Sequence, residues 1–136
     1  MPVLDALAAY LQIQGQGMPG EDIFLSRLPD GPGSIDRCAA LIEYQGTAPE
    51  FTHDISGIAY NNARVQLTVR DAPSEYAAAR AWAETINQAL ARIVNQTLSG
   101  VFYLAVIPLS EPFLMRRDEL DRPIIASNFS ILKAPG

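Results

Sequence analysis

Between Ala63 and Val94 the hydrophobic pattern changes period once, from two residues to about 3.6, and that change sets the expected architecture. From Ala63 to Asp71 apolar and polar positions alternate: Val65, Leu67 and Val69 fall on one face, Arg64, Gln66, Thr68 and Arg70 on the other. This is the pattern of a strand with one face on a core. The polar face meets either plain solvent or a neighbouring subunit, whose carboxylates Arg64 and Arg70 could pair with. Pro73, Ser74 and Glu75 then supply helix-start chemistry. Tyr76, Ala79, Ala83, Ile86, Leu90 and Ile93 keep helical spacing over about twenty residues, roughly 30 Å of axis, enough to cover a sheet. Trp82 lies beside that stripe as a core or rim packer, and Ala77, Ala78 and Ala81 predict close approach of the helix to something.

Other segments fill in the order. Leu4, Leu7, Ala8 and Leu11 mark one face of a short helix over Val3 to Ile13, stopped at Gly15. The loop Gly15 to Gly20 spells G-x-G-x-x-G, but a helix precedes it, Pro19 interrupts it and Glu21-Asp22 would repel phosphate, so it reads as a turn. Asp22 to Ser26 predicts a short strand, Asp30 to Gly33 a turn, and Cys38 to Tyr44 a buried strand ended by Gly46. Thr47 to Asn62 is a long connection carrying His53 and the apolar Phe51, Ile55, Ile58 and Tyr60, which either make a contact loop or tuck down as an Ω-loop lid or a short strand. Val101 to Leu109 and Pro123 to Lys133 predict two buried strands paired as a hairpin, with Ser110 to Asp121 as a long tip. The order α, β, β, β, α, β, β indicates one α+β domain over residues 1–136. Its expected core is a mainly antiparallel sheet of four to five strands, with the long helix packed on a face and a short N-terminal helix.

Composition narrows the function classes. Apolar residues are 49% of the chain and charged residues 18%, a charge-poor surface for a small domain, which points to contact with another protein. The net charge of -5, a single lysine at Lys133 and scattered arginines argue against specific nucleic-acid binding. Cys38 is the one cysteine, so neither an internal disulfide nor a multi-cysteine metal site is expected. The start Met-Pro-Val-Leu-Asp lacks the basic and apolar regions of a signal peptide, and no run approaches the roughly 18 apolar residues of a membrane span.

Candidate chemistry is sparse. His53 is the sole histidine, and no H-E-x-x-H motif or Cys-His pairing exists. Asp118, Glu119 and Asp121 stand beside Arg116, Arg117 and Arg122, a composition that self-neutralises as surface ion pairs more readily than it builds a metal site or an acid/base pair. No catalytic residue, metal or cofactor is expected. Phe113, Leu114 and Met115 form an apolar patch at the hairpin tip, to be buried in a partner or in the domain's own core.

Several elements in this order carry a resemblance: the helix Leu4 to Leu11 before a glycine-rich loop, the Leu28-Pro29-Asp30 turn, and Glu43 to Gly46 closing a strand. Val65 to Asp71 feeding the Tyr76-Ala77 helix, and Asp118 to Phe129 with Arg122 and Asn128-Phe129, complete it. Over nearly its whole length the chain resembles the minor capsid or tail-completion proteins of long-tailed bacteriophages, the tail-terminator class. The resemblance implies a non-enzymatic virion protein, assembled in the host cytoplasm, that forms a ring, typically of six copies. That ring docks on the last ring of the tail tube, ends its growth and presents a surface to a neck or head-completion protein. On this reading Arg64, Gln66, Thr68, Arg70 and Asp71 make subunit contacts, and Phe51, His53, Phe113, Leu114 and Met115 make axial contacts to tube or neck. The acidic balance suits a lumen through which DNA slides without sticking. Other neck or head-completion proteins share the size and style. A small-molecule or peptide-binding domain with Thr47 to Asn62 as lid, and an enzyme using His53 as a base beside Asp54, are the readings from other classes.

Overall fold

A computed structural model describes residues 2–44, 50–51 and 58–135, with backbone alone for 50–51 and 58–60. Helix α1 spans Val3–Ile13 and helix α2 Tyr76–Ala91; the strands are β1 Ile23–Leu25, β2 Cys38–Tyr44, β3 Glu50–Phe51, β4 Ile58–Arg70, β5 Val94–Leu98, β6 Val101–Pro108, β7 Phe113–Arg117 and β8 Pro123–Lys133. The sheet runs β1-β2-β4-β8-β6-β5, with β3 flanking β4 and β7 flanking β8. β1 and β2 pair in parallel and the remaining described pairs are antiparallel.

The centre of the sheet is the β4–β8 pair, in register from Asn61 opposite Lys133 to Arg70 opposite Ile124. Alternation decides which side chains go where. Val65, Leu67 and Val69 of β4 and Ile125, Phe129 and Ile131 of β8 point to one face, where Ala79, Ala83, Ile86 and Leu90 of α2 and Leu7 and Leu11 of α1 cover them. Ala79 and Ala83 are buried and carry no side chain beyond Cβ, which lets α2 lie close on the sheet. Tyr10 of α1 donates its hydroxyl proton to the carbonyl of Ala89, 3.2 Å away, tying the two helices. Past α1, Gly15 takes φ +75° and turns the chain back. Trp82 on α2 donates its indole N–H to the carbonyl of Gln16 at 3.1 Å, fixing that turn against the second helix.

The fold is α+β with a long and a short helix, but the sheet is wider than the four to five strands expected, and it is mixed. β1 and β2 are joined by residues 26–37, the dozen or so residues that a parallel crossover needs. β4 begins at Ile58, so the end of the 47–62 connection takes the strand form and runs continuously into the strand expected from Ala63. α2 ends at Ala91, so its 16 residues give about 24 Å of axis instead of roughly 30 Å. Its apolar spacing continues to Ile93, which is fully buried in the turn that leads into β5. The expected β6–β8 hairpin is present. Its long tip contains β7, which turns back to pair with the first half of β8.

Candidate functional site

Two regions on the sheet hold chemistry. The first is the face turned away from the helices. Here Arg70, at the end of β4, is 1% exposed, and its guanidinium donates to three loop carbonyls: Pro29 at 2.6 Å, Ile35 at 2.6 Å and Asp36 at 3.3 Å. Arg122, just before β8, is 2% exposed. Its Nε donates to Asp118 Oδ2 at 2.8 Å, and its Nη1 to the carbonyl and hydroxyl of Ser34 and to the carbonyl of Ile35. Asp118 also lies 3.8 Å from Arg70, and Asp36 lies 3.5 Å from Arg122. The two guanidiniums therefore serve as side-chain partners for the carbonyls of a segment that has no secondary structure of its own.

The electrostatics follow from that packing. Burial alone would raise the Asp118 carboxyl, but hydrogen bonds from the backbone N–H and guanidinium of Arg122, the N–H of Leu120 and the Arg122 charge outweigh it and hold the carboxyl below the usual range. Burial pushes the neighbouring Cys38 thiol up, against the lowering influence of Arg70 and Arg122. This arrangement corrects the expectation of surface ion pairs around Asp118. Arg117 and Asp121 do pair at the surface, 3.9 Å apart, whereas the Asp118–Arg122 pair is interior.

The polar face of β4 is likewise not open along its length. Thr68, Arg70 and Asp71 are buried within the subunit. Arg64 and Gln66 are half-buried, and Gln66 donates its amide to Asn128 Oδ1 at 3.1 Å. Asp71 accepts from Arg37 at 2.9 Å, and the Arg37 guanidinium stacks 4.2 Å above the Trp82 ring, so a carboxylate on the sheet and an aromatic on α2 share one arginine.

The second region is the sheet edge formed by the end of β6, the connection 109–112 and β7. β7 pairs with β8 on one side only. Phe113, Leu114 and Met115 are 40%, 44% and 39% exposed, and Leu109 in the connection before them is exposed as well. Of the two sites considered for this patch, partner or own core, the isolated chain leaves it outside the core. Beside it lies a groove of about 470 Å³ between α2 and the connection, lined by Glu84, Asn87, Gln88, Pro108, Leu109, Ser110, Glu111 and Pro112. The Ser110 hydroxyl is buried there with no hydrogen-bond partner among the described residues. Glu111 is exposed and makes no ion pair among them.

The structure brings part of the expected set together. Arg64 to Arg70 lie on β4 with Asp71 just past its end, Phe113 to Met115 lie on β7, one strand beyond β8, and Met115 lines one cavity with Gln66, Thr68 and Arg70. The Phe51 side chain and His53 lie outside the described residues, as does Asp54. Sequence reasoning missed the buried partnership of Arg70, Asp118 and Arg122, whose one local sign is the i, i+4 spacing of Asp118 and Arg122. It also missed the groove, which has no sequence sign because its walls come from two elements. Among the described residues no group of three His, Cys, Asp or Glu is placed to hold a metal ion, and no helix is long and apolar enough to cross a membrane.

A family model described as bacteriophage tail terminator protein matches residues 10–134. No curated protein matches the chain in sequence. Among solved structures, a chain of "Virion of native gene transfer agent (GTA) particle" superposes with a TM-score of 0.59 at 18% identity, over 95% of this chain and 84% of that one. At that identity the likeness is one of fold.

Proposed function

This chain belongs to the bacteriophage tail terminator family, so it is a structural protein of the phage tail and a virion component; from that premise we propose that it forms a ring that caps the tail tube, ends tail polymerisation and offers the head-joining surface. The match of the family model to residues 10–134 carries the reading. Separate sheet edges at β1 and β7 and the exposed apolar side chains of β7 support it, because a ring subunit needs one surface for each neighbour and others along the axis. Partners on this reading are further copies of the chain, the tail tube protein and a neck or head-completion protein. DNA passes through the lumen without specific binding.

Phe113, Leu114 and Met115 are assigned to axial contacts. Of the residues expected at the subunit contact, Arg64 and Gln66 retain surface for a neighbour; Thr68, Arg70 and Asp71 act inside the subunit, where they preserve the shape of the β4 end. The test is tube growth. Tail tube protein polymerising in the presence of the chain is expected to give short, capped tubes, with class averages showing a closed ring at one end. Tubes of unchanged length with bare ends would overturn the proposal.

A further inference from the structure

The β7 and β1 edges of the sheet present unlike chemistry. At the β7 edge, the groove between α2 and residues 108–112 holds two carboxylates, Glu84 and Glu111, above the apolar Pro108, Leu109 and Pro112. Glu84 pairs with Arg80 at 3.2 Å, whereas Glu111 has no counter-charge among the described residues. The Ser110 hydroxyl is shielded from solvent at the same place, also without a partner. A polar atom so placed is costly unless something fills the groove and bonds to it.

At the other edge stands β1, where the chemistry is the complement. Leu25 is 37% exposed, and Arg27, two residues on, is exposed and unpaired among the described residues. The carbonyl and N–H of Ile23 are engaged by Gly20 and Met18, so the free part of this edge begins at Leu25. An apolar residue followed two positions later by a cation is what an apolar groove with an unpaired carboxylate accepts.

We propose that Leu25 and Arg27 of one copy enter the α2/β7 groove of the next, Leu25 against Pro108 and Leu109 and the Arg27 guanidinium between Glu84 and Glu111. The occupant is a second copy of this chain. The contact is heterologous, since it joins two different surfaces, the β1 edge of one copy and the groove beside β7 of the next, so repeated application closes a ring or extends a filament. It rests on the ring reading above and supplies that reading with a subunit surface.

Charge exchange tests it. Self-association of the full chain is followed by sedimentation velocity up to ~1 mM, where contacts as weak as millimolar register. Arg27→Glu and Glu111→Arg, each at an exposed position, are expected to weaken association by about tenfold or more while leaving the thermal transition unchanged, and the double variant to restore it. Single variants that assemble like the parent, or a double variant no better than the singles, would overturn this contact and leave the ring reading standing. A parent chain that stays monomeric throughout, and leaves tail tubes uncapped, would remove both.

Discussion

At the scale of single residues, the interior polar groups decide most of the chemistry. Asp118 balances two guanidiniums that are 1% and 2% exposed. Removing its charge leaves both short of a partner, so Asp118→Asn is expected to cost about 3–5 kcal/mol in urea unfolding. The sign of its pH dependence follows from the direction of its shift. A carboxyl held lower in the folded state than its ordinary value of 3.8 contributes stability that is fully present above that value and is lost as pH falls through the lowered one. Acid unfolding of the parent should therefore steepen below about pH 4, with the Asn variant flatter in that window; parallel curves would contradict the assignment. Ser127 is the opposite case. It faces the helices from β8, is fully buried, and its hydroxyl has no partner among the described residues. Ser127→Ala removes that unmet group and is expected to leave stability equal or raise it by about 1 kcal/mol, whereas a loss of that size would reveal a partner.

At the scale of elements, legibility tracked how local the deciding contacts are. α1, β2 and β8 fall on the residues that periodicity named, because a stripe of Leu4, Leu7 and Leu11 or an apolar run from Cys38 needs no distant information. β5 was hidden because Leu90 and Ile93 continue the helical spacing into Val94, while Asn95, Gln96 and Thr97 give no alternation. β7 was hidden for another reason: Phe113 to Arg117 is apolar then basic, a pattern belonging to an edge and not to a half-buried strand. The sequence places the polar face of β4 against solvent or a neighbour and not inside the subunit, because Arg70 meets its partners 34 to 41 residues away, and Arg122 reaches back 86 to 88 residues to the same segment. No spacing rule reports such pairs. β7 also yields a prediction of its own. Leu114→Glu lies on an exposed edge and is expected to change unfolding free energy by less than about 0.5 kcal/mol while abolishing tail capping. Capping at parental levels would take Leu114 out of the axial surface.

At the scale of the whole molecule, the domain behaves as one cooperative unit, because its single layer of helices and its sheet share one core. Cys38 offers a probe. It is fully buried on β2, with β1 on one side and β4 on the other, and its thiol is pushed up by burial. A thiol reagent is expected to react with it only at the rate of global unfolding, accelerating with urea in step with the loss of helical signal. Rapid labelling in native buffer would instead show that the β1 side of the sheet opens by itself.

The two arginines that hold residues 29–36 bear on when that segment takes shape. Its carbonyls wait on Arg70 in the middle of the chain and on Arg122 near its end. Synthesis runs from the N-terminus, so the segment is made early and stays hydrated until β8 has been added and has zipped onto β4. A nascent or prematurely terminated chain therefore lacks a set loop on that face, however well its first helix has formed. The complete surface on that face exists only once β8 has joined β4 and brought Arg122 to the loop.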